Sequence, residues 1–566
     1  MIEDIYDPLV RYRDEFRARF SQLTLDKFKE LVEKSGVDVS ANRKLIADIN
    51  ALSASLNSKK WKLFFLRLFI IIGFIAGFLG GIIAYNMIDC VERWYAIGAC
   101  VGGIALIILT YPFYKKTRKL IEKLEDDISV KTQSAWDQMA PLNKLYTWDI
   151  TVKLIEATVP RLQFDAFFTA DRLDELNRLF GWDNSFNEGK SIVFAQSGVI
   201  NGNPFVIGEY LEQQWGEKTY EGTKSISWSE WTTVNGKRQR VTRHQTLYAT
   251  VTKPIPVYKD KKLLIYGNDA AENLTFSRKP SSLSDVGDGL IGSFRKKLVV
   301  RELEKFSRNL DDDSDFTLMS NHEFEALFYA KDRDNEVEFR LLFTALAQKQ
   351  MLDLLKDSSI AFGDDFSFIK QNKINVIVPN HLQEAVIDTN PERFYDYDFD
   401  RAMLNFQQFN EKYFKDVYFA FAPLLAIPLY QQTRTVEDIY KDAINMQSSF
   451  WEHESLANYY GDDYFKHSSC ITRNILKTEH SSREDDTSTI KVTAYGFKGL
   501  NRVDYVDVYG GDGRYHSVPV HWVEYLPVHK TSNMYISENK NSSDINVEDI
   551  SNAGFWRRSI FSYLNK

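Results

Sequence analysis

The sequence predicts an α+β fold: a two-helix transmembrane hairpin with a helical stalk, carrying a cytoplasmic mixed domain with antiparallel sheets. Three observations predict it. Two apolar runs, residues 63–85 and 94–113, lie close together near the N-terminus. Apolar residues recur at three- to five-residue intervals on both sides of those runs. From residue 191 onward the pattern shifts to β-branched and aromatic stretches separated by turn signals.

Each run is long enough to cross a bilayer, because ~20 residues at ~1.5 Å rise span a hydrocarbon core of ~30 Å. The first contains a single charge, Arg67, one turn inside its entrance, where it can snorkel to the headgroups. The second contains none. A core helix of a soluble protein does not stay apolar on all faces for that length. Gly73, Gly77 and Gly81 recur at four-residue spacing, as do Gly98 and Gly102. That spacing lets helix backbones approach closely and also offers a face to a second copy of the chain. Lys59, Lys60 and Lys62 precede the first run, and Lys115, Lys116, Arg118 and Lys119 follow the second. The positive-inside rule then places both termini in the cytoplasm. Tyr85, Trp94, Tyr95 and Tyr111 are placed as interfacial anchors. Residues 1–60 lack a short apolar segment behind a basic start, so the first span is expected to act as an uncleaved signal.

Composition narrows the classes. A chain of 566 residues, 44% apolar and 14% aromatic, has ample material for packed cores beyond the hairpin. A net charge of −8 supplies no large basic field, which argues against nucleic acid as a partner. Three cysteines, Cys90, Cys100 and Cys470, are too few and too scattered for a disulfide framework. The Asn, Lys, Asp, Ile and Tyr content is that of a low-GC bacterium, so the bilayer is expected to be a bacterial cell membrane.

In order, residues 1–62 read as N-terminal helices, with Gly36 as a C-cap and Ser40 as the next N-cap. Residues 40–62 and 114–140 are expected to pair as an antiparallel stalk, ending near Pro141. Residues 150–180 read as helical, ending at Gly181. Strands follow, with the hairpin signal Asn235-Gly236 between long arms. Residues 268–292 look like a loop and 293–308 like a helix. Residues 324–330 fit strand or helix, 337–342 a strand, 344–355 a helix, and 360–369 with 374–378 a hairpin. Helices are expected at 399–414 and 435–450, with a buried strand or core segment at 417–429 between them. A linker at 478–489 leads to strands at 490–497, 503–509 and 515–525, the last two joined by Gly510–Gly513. The implied domains are 63–113, 114–149, 150–380, 381–477 and 478–531, with a flexible tail over 532–566.

One stretch carries a family resemblance. NHEFEALFYAKDRDNEVEFRLLFTALAQKQMLDLLKD, followed by FSFIKQNKINVIVP, resembles the bacterial membrane proteins grouped as DUF3137. The matching positions are Phe324, Phe328, Asp334, Glu336, Phe339, Arg340, Leu342 and Thr344, then Ile374, Val376, Val378 and Pro379. The resemblance covers about residues 115–380. It departs at Glu338 and Phe339 and has no counterpart for the C-terminal third. It implies a membrane-anchored architecture and carries over no catalytic residue or cofactor.

Candidate chemistry is sparse. Gly287, Gly289 and Gly292 satisfy G-x-G-x-x-G, but no apolar strand precedes them. Asp396, Asp398 and Asp400 alternate, but Arg401 and Gln407 occupy the glycine and glutamate positions of an EF-hand loop, so an acidic helix start is expected. His516, His521 and His529 lie on the last strands and would make a zinc or catalytic cluster only if the fold converges them. Lys237, Arg238, Arg240 and Arg243 crowd one hairpin arm, with Trp228 and Trp231 on the other. Such a hairpin suits an anionic membrane surface. No P-loop, G-x-S-x-G elbow, H-E-x-x-H or kinase motif occurs. The sequence therefore points to a non-enzymatic, membrane-anchored interaction platform with no cofactor, whose partners are the lipid bilayer and a protein. The alternatives are a metal-dependent hydrolase using the C-terminal His and acidic residues, or a membrane-tethered sensor of lipids or small molecules.

Overall fold

The computed structural model describes residues 6–86, 91–234, 237–281, 299–302, 305, 317–432, 447–484, 487–538 and 555–564. The chain is α+β, with antiparallel sheets and two long apolar helices at the N-terminal end. It divides into two compact units: Ser21–Thr147 with Asn390–Glu411, and Met1–Phe20 with Trp148–Thr389 and Lys412–Lys566. The stretches expected as separate domains, 150–380 and 478–531, therefore share one unit.

The first unit is built on two helices, Val39–Asn86 and Val91–Asn143, of 48 and 53 residues. At ~1.5 Å per residue both outrun a bilayer by more than twofold, so each has the length for a span and a stalk in one. The expected antiparallel pairing forms. Ile46, Ile49 and Ala135 make its core with Leu45 and Ile128, while Lys131 meets Asp48 at 2.8 Å and Lys60 meets Glu125 at 2.7 Å. Those ion pairs are exposed and fix register more than they stabilise. Both helices are long and apolar enough to cross a membrane, and only 11% and 17% of their apolar windows are buried inside the protein. Phe64, Ile75, Phe78, Ile108 and Leu109 point outward, each half to two-thirds exposed.

Glycine seals the pair. A Cβ on Gly103 would lie 2.5 Å from the Gly73 carbonyl oxygen, and one on Gly80 would lie 2.7 Å from that of Ala96. The close approach predicted from Gly73 thus occurs within one chain. Cβ atoms on Gly77 and Gly81 would sit 3.9 Å from Cys100, an ordinary contact. The N-cap of the first long helix is Asp38, not Ser40. Its carboxylate accepts from the N–H groups of Ser40 and Ala41, leaving Ser40 inside the first turn. Gly36 ends the preceding helix at φ 64°, as its sequence position implied. The acidic run also behaves as expected: Asp398 accepts from Asp400 and Arg401 at the start of helix Phe399–Leu425.

The second unit holds two antiparallel sheets. In one, strands β1 (Leu162–Phe164), β2 (Lys190–Ile200), β3 (Asn203–Val234), β4 (Lys237–Gly267), β5 (Thr275–Arg278), β6 (Phe366–Gln371) and β7 (Ile374–Pro379) follow the order β1-β2-β3-β4-β7-β6-β5. In the other, β8 (Ile475–Glu484), β9 (Thr487–Tyr509), β10 (Tyr515–Glu538), β11 (Phe555–Arg557) and β12 (Ile560–Tyr563) follow β11-β12-β10-β9-β8. Helix Phe450–Tyr460 serves both: Trp451 packs with Val206, Leu263 and Ile265, while Leu456 and Ala457 pack with Leu476, Val492 and Ile536.

Several expectations change here. Residues 337–342 are helical, within Glu336–Leu342, because Asn335 caps the Glu338 N–H and Phe339 and Leu342 face the core. The run 417–429 is the buried end of helix Phe399–Leu425, with Pro423 inside its last turn, followed by a 3-10 turn, not a strand. The stretch expected as a linker, 478–489, is paired where it is described: 478–484 end β8 opposite Val492, Lys491, Ile490 and residues 487–489 at the start of β9. The loop at 268–292 contains β5. The tail is ordered over 532–538 and 555–563, where β10 pairs β12 and Ile560 is buried. Of the helix expected at 435–450, residues 435–446 lie outside the described residues; a helix starts at Phe450 and runs to Tyr460. The Gly287–Gly292 motif and most of 293–308 lie outside the described residues.

Candidate functional site

The hairpin of β3 and β4 is far longer than the body needs. Its ladder runs unbroken from Phe205 opposite Tyr266 to Val234 opposite Lys237. Its base lies in the core of the body, at Phe205, Val206, Ile207, Tyr210, Leu211 and residues 263–266. Beyond Glu212 and Lys259 it continues as an arm of some twenty residue pairs, ~70 Å at ~3.3 Å per residue.

A bare two-stranded ribbon of that length is not stable in water. The second hairpin, β9–β10, supports it. Ile226, Leu247 and Ala249 of the first pack on Val518 and Val520 of the second, flanked by Trp228, Val506 and Val508. The approach is close enough that a Cβ on Gly222 would sit 2.2 Å from the Pro519 carbonyl oxygen. Lys253 ties the layers, meeting Asp504 at 2.7 Å and lying 4.4 Å from the Trp522 ring. The second hairpin stops where the Gly511 N–H donates to Gln245 Oε1 at 2.7 Å, beside Trp228. Past that point, residues 229–242 project without a second layer among the described residues.

Register divides the predicted aromatic and basic cluster between two faces. Trp228 lies opposite Arg243 on the face that packs on the second hairpin. Trp231 lies opposite Arg240 on the other face, which also presents Arg238, His244 and Tyr248. Trp231 is 68% exposed and Tyr248 69%. Arg243 is neutralised by Glu230 across the ladder. Lys237, Arg238 and Arg240 are exposed and have no carboxylate partner among the described residues. On the second hairpin Tyr505 and Tyr515 are 70% and 73% exposed. The arm therefore carries free cations and uncovered rings.

The histidines do not converge. His516 pairs with Asp512 at 3.0 Å, His521 lies opposite Val503, and His529 opposite Tyr495. Along an extended strand these positions are ~17 Å and ~26 Å apart. Among the described residues no group of His, Cys, Asp and Glu could hold a metal ion. The metal-ligand expectation at His516, His521 and His529 is thus corrected: strand geometry strings them out.

Sequence reasoning missed the buried polar helix Phe450–Tyr460. Glu452, His453, Glu454 and Ser455 are all buried in it. Glu454 accepts from the Ile192 N–H and Asn187 Nδ2, each at 2.9 Å, and meets Lys477 at 3.0 Å. Beside the helix start lies a cleft of about 270 Å³, lined by Leu173, Asn177, Ser448, His453, His480 and Glu538 among others. There Ser448 donates from its N–H and its hydroxyl to Glu538 Oε1, at 2.6 and 2.5 Å. A hydroxyl has one proton, so His453 Nε2, 2.9 Å away, donates to Ser448 Oγ. With its proton committed to Glu538, Ser448 is not poised as a nucleophile toward His453. The trio works as a clamp joining the helix to β10.

Burial pulls His453 down to about 3, with the nearby His480 adding to the effect, and pushes Glu454 up to about 7 against the pull of Lys477. Both groups therefore favour their neutral forms in the folded state. For Glu454 the folded value lies above the unfolded one, so its contribution is fully present below about pH 4.5 and is lost as pH rises through 7. Glu454→Gln should remove this dependence. The difference in Tm between variant and parent should move in the variant's favour from pH 5 to pH 8; a difference independent of pH would refute the assignment.

No family model matches the chain, and no curated protein or solved structure proved similar to it.

Proposed function

We propose that this chain is a membrane-anchored interaction platform. Its two apolar helices sit in the bilayer, both chain ends lie on the cytoplasmic side, and the α+β unit presents the double-hairpin arm as its recognition element. The observation that carries the reading is the arm itself: ~70 Å of ribbon, buttressed over much of its length, bearing exposed Trp231, Tyr248, Tyr505 and Tyr515 beside unpaired Arg238 and Arg240. Exposed rings in such number cost solubility and mark contact surfaces. The uncovered apolar faces of the two long helices support the anchor, and the lysines flanking them support the orientation. The resemblance of residues 115–380 to DUF3137 supports the same architecture.

The reading is tested by placing a photo-crosslinking amino acid at Tyr248 in the full-length protein in native membranes. Adducts at Tyr248 should exceed those at Val386, an exposed body position, at least several-fold. Equal, background yields at both positions would refute the arm as the recognition element.

A further inference from the structure

We infer that the end of the arm seats on an anionic lipid headgroup layer. This rests on the reading of the arm as a recognition element and adds the chemistry of its occupant. Between residues 225 and 246 the ribbon carries Lys237, Arg238, Arg240 and Arg243 against the single carboxylate of Glu230, in a chain whose net charge is −8. The local sign is thus opposite to that of the whole. Glu230 is already spent on Arg243, which leaves three free cations at the outermost pairs of the ladder.

Placement matters as much as charge. Trp231, Arg238 and Arg240 share one face of a ribbon only two strands wide, beyond the end of the second hairpin, with His244 on the same face just inboard of them. An indole beside guanidinium groups matches the headgroup region, where tryptophan takes the boundary between apolar and wet and arginine takes the phosphates. The neighbouring positions on that face are Ser227, Ser229, Thr233 and Thr242, small hydroxyl side chains that neither repel phosphate nor bury in hydrocarbon. Duplex nucleic acid is the poorer match. Tight phosphate binding there uses about 6–10 contacts, and the end of the arm offers three free cations, Arg238 and Arg240 on this face and Lys237 at the tip of the other.

At about 1 kcal/mol per cation near an anionic leaflet, and tenfold per 1.4 kcal/mol, three cations give a preference on the order of 100-fold over a neutral surface. The test uses full-length protein held in nanodiscs of phosphatidylcholine, mixed with vesicles of phosphatidylcholine alone or with 30% phosphatidylglycerol, and separated by flotation. The protein should float with the anionic vesicles and not with the neutral ones. The triple variant K237Q/R238Q/R240Q should lose on the order of 100-fold in apparent affinity, W231S should lose about tenfold, and 0.5 M salt should release the parent. All four positions are solvent-exposed, so circular dichroism of the variants should match the parent. Equal flotation with both vesicle types, a triple variant that binds like the parent, or tighter binding to single-stranded RNA than to anionic vesicles would each overturn the inference. Protein adducts at Tyr248 without vesicle flotation would overturn it while leaving the platform reading intact.

Discussion

Arginine placed at Ile75 should expel the first helix from the bilayer. Ile75 is near the middle of the first apolar run and is half-exposed. On insertion scales, exchanging isoleucine for arginine at a helix centre costs ~3 kcal/mol, more than a hundredfold in the inserted fraction. The stable membrane fraction after carbonate extraction should fall accordingly. Val130→Arg, on the exposed surface of the stalk, should behave as the parent. If both variants stayed in the membrane pellet equally, the outward apolar faces would not be lipid-facing.

The second large effect is in the body. Arg278 and Asp364 form an ion pair with no exposed side-chain surface on either partner. Arg278 also donates to the carbonyl oxygens of Phe366 at 3.0 Å and Phe328 at 3.3 Å, and stacks on the Phe366 ring. Burial pushes the Asp364 carboxyl up and the Arg278 guanidinium down, against their mutual attraction, so the pair is held at a cost. Arg278→Met removes the attraction and leaves a buried acid, and should destabilise the unit by ~3–5 kcal/mol in chemical unfolding. The double variant with Asp364→Leu should recover part of that loss, because both charges are then gone. A single variant within ~1 kcal/mol of the parent would show that the site is wetter than its geometry indicates.

What the sequence made legible is what short-range chemistry decides. The bilayer-length runs, the helical spacing of Leu45 and Ile49 in the stalk, the Gly36 and Gly181 caps, the pairing of the long arms and the β6–β7 hairpin all rest on neighbouring residues, and the structure has them; the Asn235-Gly236 turn signal itself lies outside the described residues. The misreadings share one cause: tertiary context overrode local pattern. Val337 to Leu342 is β-prone in isolation, but Asn335 and the core contacts of Phe339 make it helical. Residues 478–489 look like a linker because their own side chains are all polar, while the apolar residues of this pairing, Val492 and Ile490, lie on the partner strand. The helix around His453 escaped notice for the opposite reason: Glu452 and Glu454 read as surface residues until Phe168, Ile192, Asn187 and Lys477 close around them. The basic patch was visible as composition, but which tryptophan joins which arginine depends on register, and only the ladder assigns Trp231 rather than Trp228 to the free face.

In the proposed topology the chain enters and leaves the bilayer on the same side, the side that also holds the arm. This topology is tested most directly by labelling with a membrane-impermeant maleimide, using native Cys90 in the short connection between the spans and Tyr505→Cys on the exposed arm. In intact cells Cys90 should react and the arm cysteine should not; after permeabilisation both should react. Reaction of the arm cysteine in intact cells, with Cys90 protected, would contradict the account.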